Sequence, residues 1–480
     1  MNPVFRLPCV QRLLPAAVLL AASLSCAAAE RAPVPTRPNV VFILADDLGW
    51  ADLGVYGQTF AETPHLDRLA AQGLRFTHAY APAPICSASR AAILTGRSPA
   101  RLHFEFVTKP RGSEPPPGTK LVQPPFPENL PLEEITLAEA LAPAGYTSGF
   151  FGKWHLTEQH NRYLGHGDTF GPRQQGFAVT SEERGSHPYN YPAGGKKNPG
   201  FGDFAPGEFA PDALTDEAID FLRKQRGRSG EPFLLFLSHY YVHDPVHTRC
   251  RWLLDKYRAK ARRLGRVLDD DHLRYAAFVD TMDHLVGRVL TALDELGLAE
   301  NSLVIFTSDN GGHPRFADNG LRGSKWTLYE GGVRVPWLVR WPGVVPAGGT
   351  SDVPIVGTDL LPTLCELAGV PAPADRALDG TSLLALFAGA ATTLGRDMLV
   401  WHFPFYHPWF VGTTPVSSLR RGDLKLLYFH EDQRAELYDL AADPQEQHDL
   451  AAARPDDAAT LRTALFERLR AAGARLPQPR

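Results

Sequence analysis

Cys86 opens the run Cys86-Ser87-Ala88-Ser89-Arg90-Ala91-Ala92-Ile93-Leu94-Thr95-Gly96-Arg97. A cysteine at the mouth of an apolar helical stretch has a helix N-terminus beside it, and Arg90 adds a guanidinium at short range. Both favour anionic chemistry at the sulfur. A lone cysteine reads more readily as a small buried core thiol, so its neighbours in the chain must decide. Asp46-Asp47 and Asp309-Asn310-Gly311-Gly312 each follow a strand-like run. One such pair reads as a helix cap or a solvated turn. Together they offer three carboxylates and an amide carbonyl with no soft ligand close by in sequence, a set that suits a hard cation, Ca²⁺ ahead of Mg²⁺. Lys153 and His155, in Gly152-Lys153-Trp154-His155, are two residues apart and share one face if the preceding strand continues. His243 lies in Tyr241-Val242-His243-Asp244-Pro245, flanked by His239 and His247, and Lys325 sits in a glycine-rich stretch that suits a lysine aimed at an anion.

These residues need a scaffold that brings strand ends together. Continuous apolar runs predict buried strands at 39–44, 147–151, 232–238, 302–307 and 333–340. Thr63-Pro64 reads as N-cap and first position of a helix reaching Gly73. Tyr275, Phe278, Val279, Met282, Leu285, Val289, Leu290, Leu293 and Leu296 mark one face of another helix, closed by Gly297. Strands alternating with amphipathic helices predict an α/β sheet with helices on both faces, whose ligands lie beyond the strands' carboxyl ends. Beyond about residue 412 the pattern changes to short strands, 424–429 and 436–439, and a helix over about 456–472. That texture predicts a small α+β C-terminal domain.

At 480 residues the chain is long enough for two or more structural units. A formal net charge of −4 argues against a general nucleic-acid binder, because no basic excess exists to neutralise phosphates. Arg6 and Arg12 precede the apolar stretch 13–24, and Ala27-Ala28-Ala29 supplies a small-residue cleavage site, so 1–29 reads as a signal peptide. Export to the periplasm or beyond follows. Lipoprotein anchoring at Cys26 is the less favoured reading, since the preceding leucine is one position off, and no other segment reaches membrane-spanning length. Removal of the leader leaves Cys86, Cys250 and Cys365. The odd count leaves at least one thiol unpaired, and a Cys250–Cys365 bridge is open but not required.

The dodecamer at Cys86 resembles the signature of the formylglycine-dependent sulfatases, Cys-x-Pro/Ala-x-Arg followed by Thr-Gly-Arg. The elements at 39–47, 152–155, 242–245, 308–312, 323–336, 422–426 and 436–440 occur in sulfatase order and approximate spacing. The resemblance implies an alkaline-phosphatase-like core, a mixed and mostly parallel sheet flanked by helices, over 36–412, and a C-terminal α+β subdomain with an antiparallel sheet over 413–480. It further implies that Cys86 is oxidised to formylglycine by a formylglycine-generating or an anaerobic maturation enzyme. Asp46, Asp47, Asp309 and Asn310 would bind Ca²⁺, completed by the oxygen at residue 86. Arg90 would hold these groups in register, Lys153 and Lys325 would bind sulfate oxygens, and His155 and His243 would handle protons. The hydrated aldehyde would attack sulfur, His243 would protonate the leaving oxygen, and His155 would release the bound sulfate. Ala88 departs from the commoner proline and leaves the maturation route open. The implied activity is hydrolysis of sulfate monoesters on carbohydrate. Its alternatives are a phosphonate or phosphodiester hydrolase of the same superfamily and a non-catalytic glycan-binding relative with an intact thiol. Substrate choice is assigned to loops within 102–117, 157–206 and 402–414.

Overall fold

The computed structural model describes Met1 and residues 37–108, 115–157, 166–181, 200–228, 230–316, 320–407 and 413–480. The leader at 1–29, Cys26 included, lies outside the described residues apart from Met1, as does part of each proposed specificity loop. In chain order the first strands are β1 (Asn39–Ala45), β2 (Leu74–Tyr80), β3 (Leu121–Val122), β4 (Thr147–Gly152), β5 (Val179–Thr180), β6 (Phe233–Ser238), β7 (Ser302–Ser308) and β8 (Arg334–Arg340). Then come β9 (Gly349–Ser351), β10 (Ile355–Val356), β11 (Met398–Phe403), β12 (Val416–Arg421), β13 (Leu424–Phe429), β14 (Arg434–Asp439) and β15 (Gln478–Pro479).

Among the described residues nine strands form one sheet in the order β10-β2-β8-β7-β1-β6-β4-β5, with β9 beside β2. All neighbours are parallel except the two pairings of β8, with β2 and with β7. Central β1 is buried along its whole length, as its β-branched and aromatic run requires. Its alternate residues feed separate cores: Val41 and Ile43 face one layer of helices, Val40, Phe42 and Leu44 the other. Fully burying each of these side chains is worth about 1.5–3 kcal/mol. Helix Asp270–Glu295 covers the first face, its N-terminus capped by Asp269, whose Oδ1 accepts from His272 N at 2.9 Å. Gly297 ends that turn with a positive φ of 67°.

Two local expectations need revision. Helix Pro64–Ala71 forms, but the Thr63 side chain does not cap it. Thr63 Oγ1 instead accepts from Gly54 N, while the Asp283 carboxylate reaches across to His65 N and Leu66 N at 3.0 and 2.8 Å. A carboxylate from another helix has taken the cap's place. Strand β2 was also missed, because its alternating Leu74, Phe76, His78 pattern is short and directly follows a helix. Gly73 makes the junction: a Cβ there would lie 2.0 Å from Val339 O.

A second sheet, β11-β12-β13-β14, is antiparallel throughout. It begins at Met398, before residue 412, and Leu419, Leu426 and Leu437 pack on Leu461 and Leu465 of helix Pro455–Ala471. Residues 35–480 form one compact unit. Cys250 and Cys365 are both free thiols, so no bridge joins them. Among the described residues no helix is long and apolar enough to cross a membrane.

Candidate active site

Four sheet neighbours, β7, β1, β6 and β4, deliver the chemical residues to one edge. The β1–β7 register pairs Ala45 with Ser308, so Asp46-Asp47 and Asp309-Asn310 leave the sheet side by side. Asp309 N donates to Ala45 O at 3.1 Å, Asp47 N to Asp309 Oδ1 at 3.2 Å, and Asn310 Nδ2 to Asp47 Oδ1 at 2.8 Å. On the other flank of β1, Asp46 N donates to Tyr241 O at 2.7 Å, which brings in the His243 turn. Lys153 N donates to Ser238 O at 2.9 Å, just past the end of β4. Strand β4 stops at Gly152, and His155 adopts a left-handed φ of 60°. The two-residue spacing of Lys153 and His155 therefore reflects a loop and not a shared strand face.

Cys86 is the first residue of helix Cys86–Thr95, and its thiol faces Asp47 Oδ1 at 3.9 Å. Burial pushes that thiol up to about 12; Lys153 and Lys325 pull it down, but Asp309 and Asp46 oppose them. Burial thus favours the neutral thiol, against the anionic sulfur that the helix N-terminus and Arg90 suggested from sequence. Arg90, also buried, donates from Nε to Asp309 Oδ2 at 2.8 Å and from Nη1 to Lys153 O at 2.8 Å and to Ser238 Oγ. Its guanidinium ties the Cys86 helix to β7, β6 and the β4 loop.

Lys153 Nζ stands 2.7 Å from Asp46 Oδ2, and Lys325 Nζ 2.7 Å from Asp47 Oδ1. Burial would raise the Asp47 carboxyl, but Lys325, His243 and Lys153 hold it well below the usual range. Burial likewise disfavours the charged forms of Lys153 and Lys325, yet the facing carboxylates keep both raised and protonated. Asp309 moves the other way, up to about 6, chiefly by burial and despite Arg90. His243 Nε2 lies 3.6 Å from Asp47 Oδ2, and its Nδ1 lies 2.5 Å from Asp244 O. Burial, together with Lys325, depresses it to about 3. His155 is held well below its ordinary value by burial and by Lys153 and Arg90. Both imidazoles are neutral at neutral pH in this arrangement.

One ligating atom from each of Asp46, Asp47, Cys86 and His243 lies within 4.8 Å of the others. Asp46 Oδ1 and Asn310 Oδ1 are buried without a hydrogen-bond partner. Orphaned oxygens amid crowded carboxylates fit a hard divalent cation. Asp309 contributes differently from its neighbours, since Arg90 and Asp47 N already engage its two oxygens.

All residues singled out at this site in the sequence thus converge, while His239 points elsewhere. Its ring is fully buried towards Tyr241 and Asp212. Sequence reasoning missed Ser238, which donates to Lys153 O at 2.7 Å, and Thr108, whose hydroxyl donates to His155 O at 3.0 Å. Ser238 follows an apolar run, a usable signal. Thr108 lies in an irregular loop and carries none.

Comparison with known proteins agrees with this architecture. The sulfatase family model matches residues 38–370, and the model for the N-sulphoglucosamine sulphohydrolase C-terminal region matches 322–474. Human arylsulfatase A is 34% identical, the alignment covering 89% of this chain and 86% of the human protein. Dog N-acetylgalactosamine-6-sulfatase is 35% identical over 77% of this chain and 70% of its own length. The crystal structure of Ps i-CgsB superimposes with a TM-score of 0.72 at 27% identity, covering 90% of this chain and 93% of that one. The fold is that of the alkaline-phosphatase-like enzymes, a mixed and mostly parallel sheet flanked by helices with an antiparallel sheet in the C-terminal region. Within that class the chain belongs to the sulfatase family, the sulfuric ester hydrolases.

Proposed function

We propose that this enzyme hydrolyses sulfate monoesters carried by carbohydrate, at the site built around residue 86. The observation that carries the reading is the convergence of Asp46, Asp47, Cys86 and His243 within 4.8 Å, with two buried lysines at 2.7 Å from the carboxylates. Dog N-acetylgalactosamine-6-sulfatase is named for a sulfated sugar, and Ps i-CgsB has also been crystallised with a neocarrahexaose; these relatives support the carbohydrate class.

Asp46, Asp47, Asp309 and Asn310 would hold Ca²⁺, a hard ion suited to all-oxygen donors. When bound, the ion would offset charge on the sulfate oxygens, and formylglycine made from Cys86, once hydrated by one water, would offer a hydroxyl for attack on sulfur. Lys153 and Lys325 bind the sulfate oxygens through ammonium groups that their carboxylate neighbours keep protonated. Arg90 holds the helix bearing residue 86 against Asp309 and the Lys153 carbonyl. His155, buried and neutral, would accept the proton of the second residue-86 hydroxyl as the bond from that carbon to the sulfate oxygen breaks, releasing sulfate and restoring the aldehyde. His243 is the more solvent-accessible imidazole, its side chain 27% exposed. Burial first and the cations second depress it; an anionic sulfate beside Lys153 and Lys325 offsets the cations' share, and Nε2 is the atom placed to pass a proton to the leaving alkoxide. The leader at 1–29 directs the chain to the periplasm or beyond, and a maturation enzyme converts Cys86.

The test is turnover of an aryl sulfate, an aryl phosphonate and a panel of sulfated mono- and oligosaccharides by matured enzyme, with Cys86→Ala as control. Mass spectrometry of the peptide containing residue 86 reports its conversion. Sulfate release by wild type alone is expected, lost to a chelator and restored by Ca²⁺ better than by Mg²⁺. Equal activity in wild type and control, or faster turnover of the phosphonate, overturns the reading.

A further inference from the structure

Lys325 reaches the site on a strap, residues 322–333, that the C-terminal region fastens at both ends. At the start, Arg322 Nη1 donates to Tyr438 OH at 2.7 Å and to Glu446 O at 2.8 Å, its guanidinium lying over the Tyr329 ring. At the far end, Glu330 Oε1 pairs with Lys425 Nζ at 2.8 Å and Oε2 accepts from Tyr80 OH at 2.9 Å. Glu446 closes the knot: Oε1 pairs with Lys425 Nζ at 2.9 Å and Oε2 accepts from Glu330 N at 2.7 Å. Lys425, Glu330 and Glu446 are wholly buried.

The strap is equally constrained on its site side. Gly331 N donates to Arg322 O, Gly311 N to Gly332 O and Lys325 N to Gly312 O, at 2.8, 3.0 and 2.9 Å. A Cβ on Gly311 would fall 2.0 Å from Gly331 O, so the strap and the Asp309–Gly312 turn touch backbone to backbone. Displacement of Glu330 would therefore move Lys325 relative to Asp47. Buried ion pairs are poor sources of stability compared with apolar residues of similar volume; their better-attested use is to fix one arrangement among several.

We infer that Lys425 and Glu446, far along the chain in the C-terminal region, are positioning residues for Lys325, acting through Glu330 and the strap. Their role rests on the proposed use of Lys325 at the sulfate. The C-terminal sheet is on this view part of the catalytic apparatus, since its β13 lysine sets where a site ammonium stands.

A double-mutant cycle tests the coupling. Lys425→Met is made in the wild-type and the Lys325→Ala backgrounds, and kcat and KM for an aryl sulfate are measured with hydrogen exchange of the 322–333 peptide. In the wild-type background kcat is expected to fall by roughly 3- to 30-fold, with faster exchange in the strap. In the Lys325→Ala background Lys425→Met should cost no further activity, because the two residues act in series. An equal fold-loss in both backgrounds, or unchanged strap exchange, overturns the inference. If Lys425→Met does not fold, Lys425→Met with Glu330→Gln removes two of the buried charges and carries the same tests. Should wild type hydrolyse no sulfate ester, the functional reading falls, and the exchange arm alone decides the coupling: acceleration centred on 322–333 sustains it, and none overturns it.

Discussion

Replacement of Arg90 is the sharpest probe of how this site is held together. Its Nε and Nη2 both reach Asp309 Oδ2 at 2.8 Å, and both residues are at most 2% exposed. In Arg90→Met the Asp309 carboxylate loses its cation without gaining access to water, a loss that costs about 3–5 kcal/mol. The Lys153 carbonyl adds little to that figure, because Ser238 Oγ also donates to it at 2.7 Å. Arg90→Lys keeps a charge, but one ammonium cannot span Asp309, Lys153 O and Ser238 Oγ together, so about 1–3 kcal/mol is expected. Urea unfolding of the unmatured protein in chelator, followed by tryptophan fluorescence, reads these costs apart from catalysis. Adding Asp309→Asn to Arg90→Met should recover most of the loss, since no unpaired charge then remains. If Arg90→Met unfolds within about 1 kcal/mol of wild type, Arg90 does not neutralise Asp309 and the electrostatic account of the site is wrong.

Thr108→Val removes the hydroxyl that donates to His155 O while keeping the side-chain shape. A loss of about 1 kcal/mol at a buried bond corresponds to roughly fivefold in kcat, and Thr108→Ser should retain activity; steady-state kinetics of both variants check it. His402 and His430 flank Ser417 Oγ at 2.7 and 2.8 Å, and burial, with mutual repulsion at His430, depresses them to about 4 and about 3. The unfolded chain protonates these histidines near pH 6.5 and the folded chain does not. Their contribution is thus present above that pH and lost as pH falls through the folded values. His402→Gln should flatten the decline in unfolding free energy between about pH 6.5 and 4, measured by urea titration at successive pH values; an unchanged slope refutes it.

Much of the scaffold was readable because parallel strands are buried on both faces. The runs at 39–44, 232–238 and 302–307 announce themselves by continuous apolar character, and the structure extends two of them by a residue and starts the third one later. Strand β2 escaped because its half-polar alternation next to a helix resembles a loop. The cap of helix Pro64–Ala71 escaped because its carboxylate comes from Asp283, more than two hundred positions away. At the site, the short linear motifs around Cys86, Asp46, Asp309 and Lys325 were legible, since each packs its chemistry into a few consecutive residues. Thr108 and the Lys425–Glu330–Glu446 knot were not, for their meaning lies in which distant segments they join.

The sequence by itself singled out the residues proposed to carry the chemistry: a cysteine in a signature-like run, carboxylates at strand ends, and lysines and histidines in short polar turns. Only the tertiary structure decided their state. Packing the thiol of Cys86 away from water raises it to about 12, whereas its neighbours in sequence suggested a thiolate. Burying Asp46 and Asp47 against Lys153 and Lys325 makes 2.7 Å contacts that no local pattern records. Desolvation and charge proximity depend on the three-dimensional neighbourhood, which the linear order of residues specifies only through the whole fold.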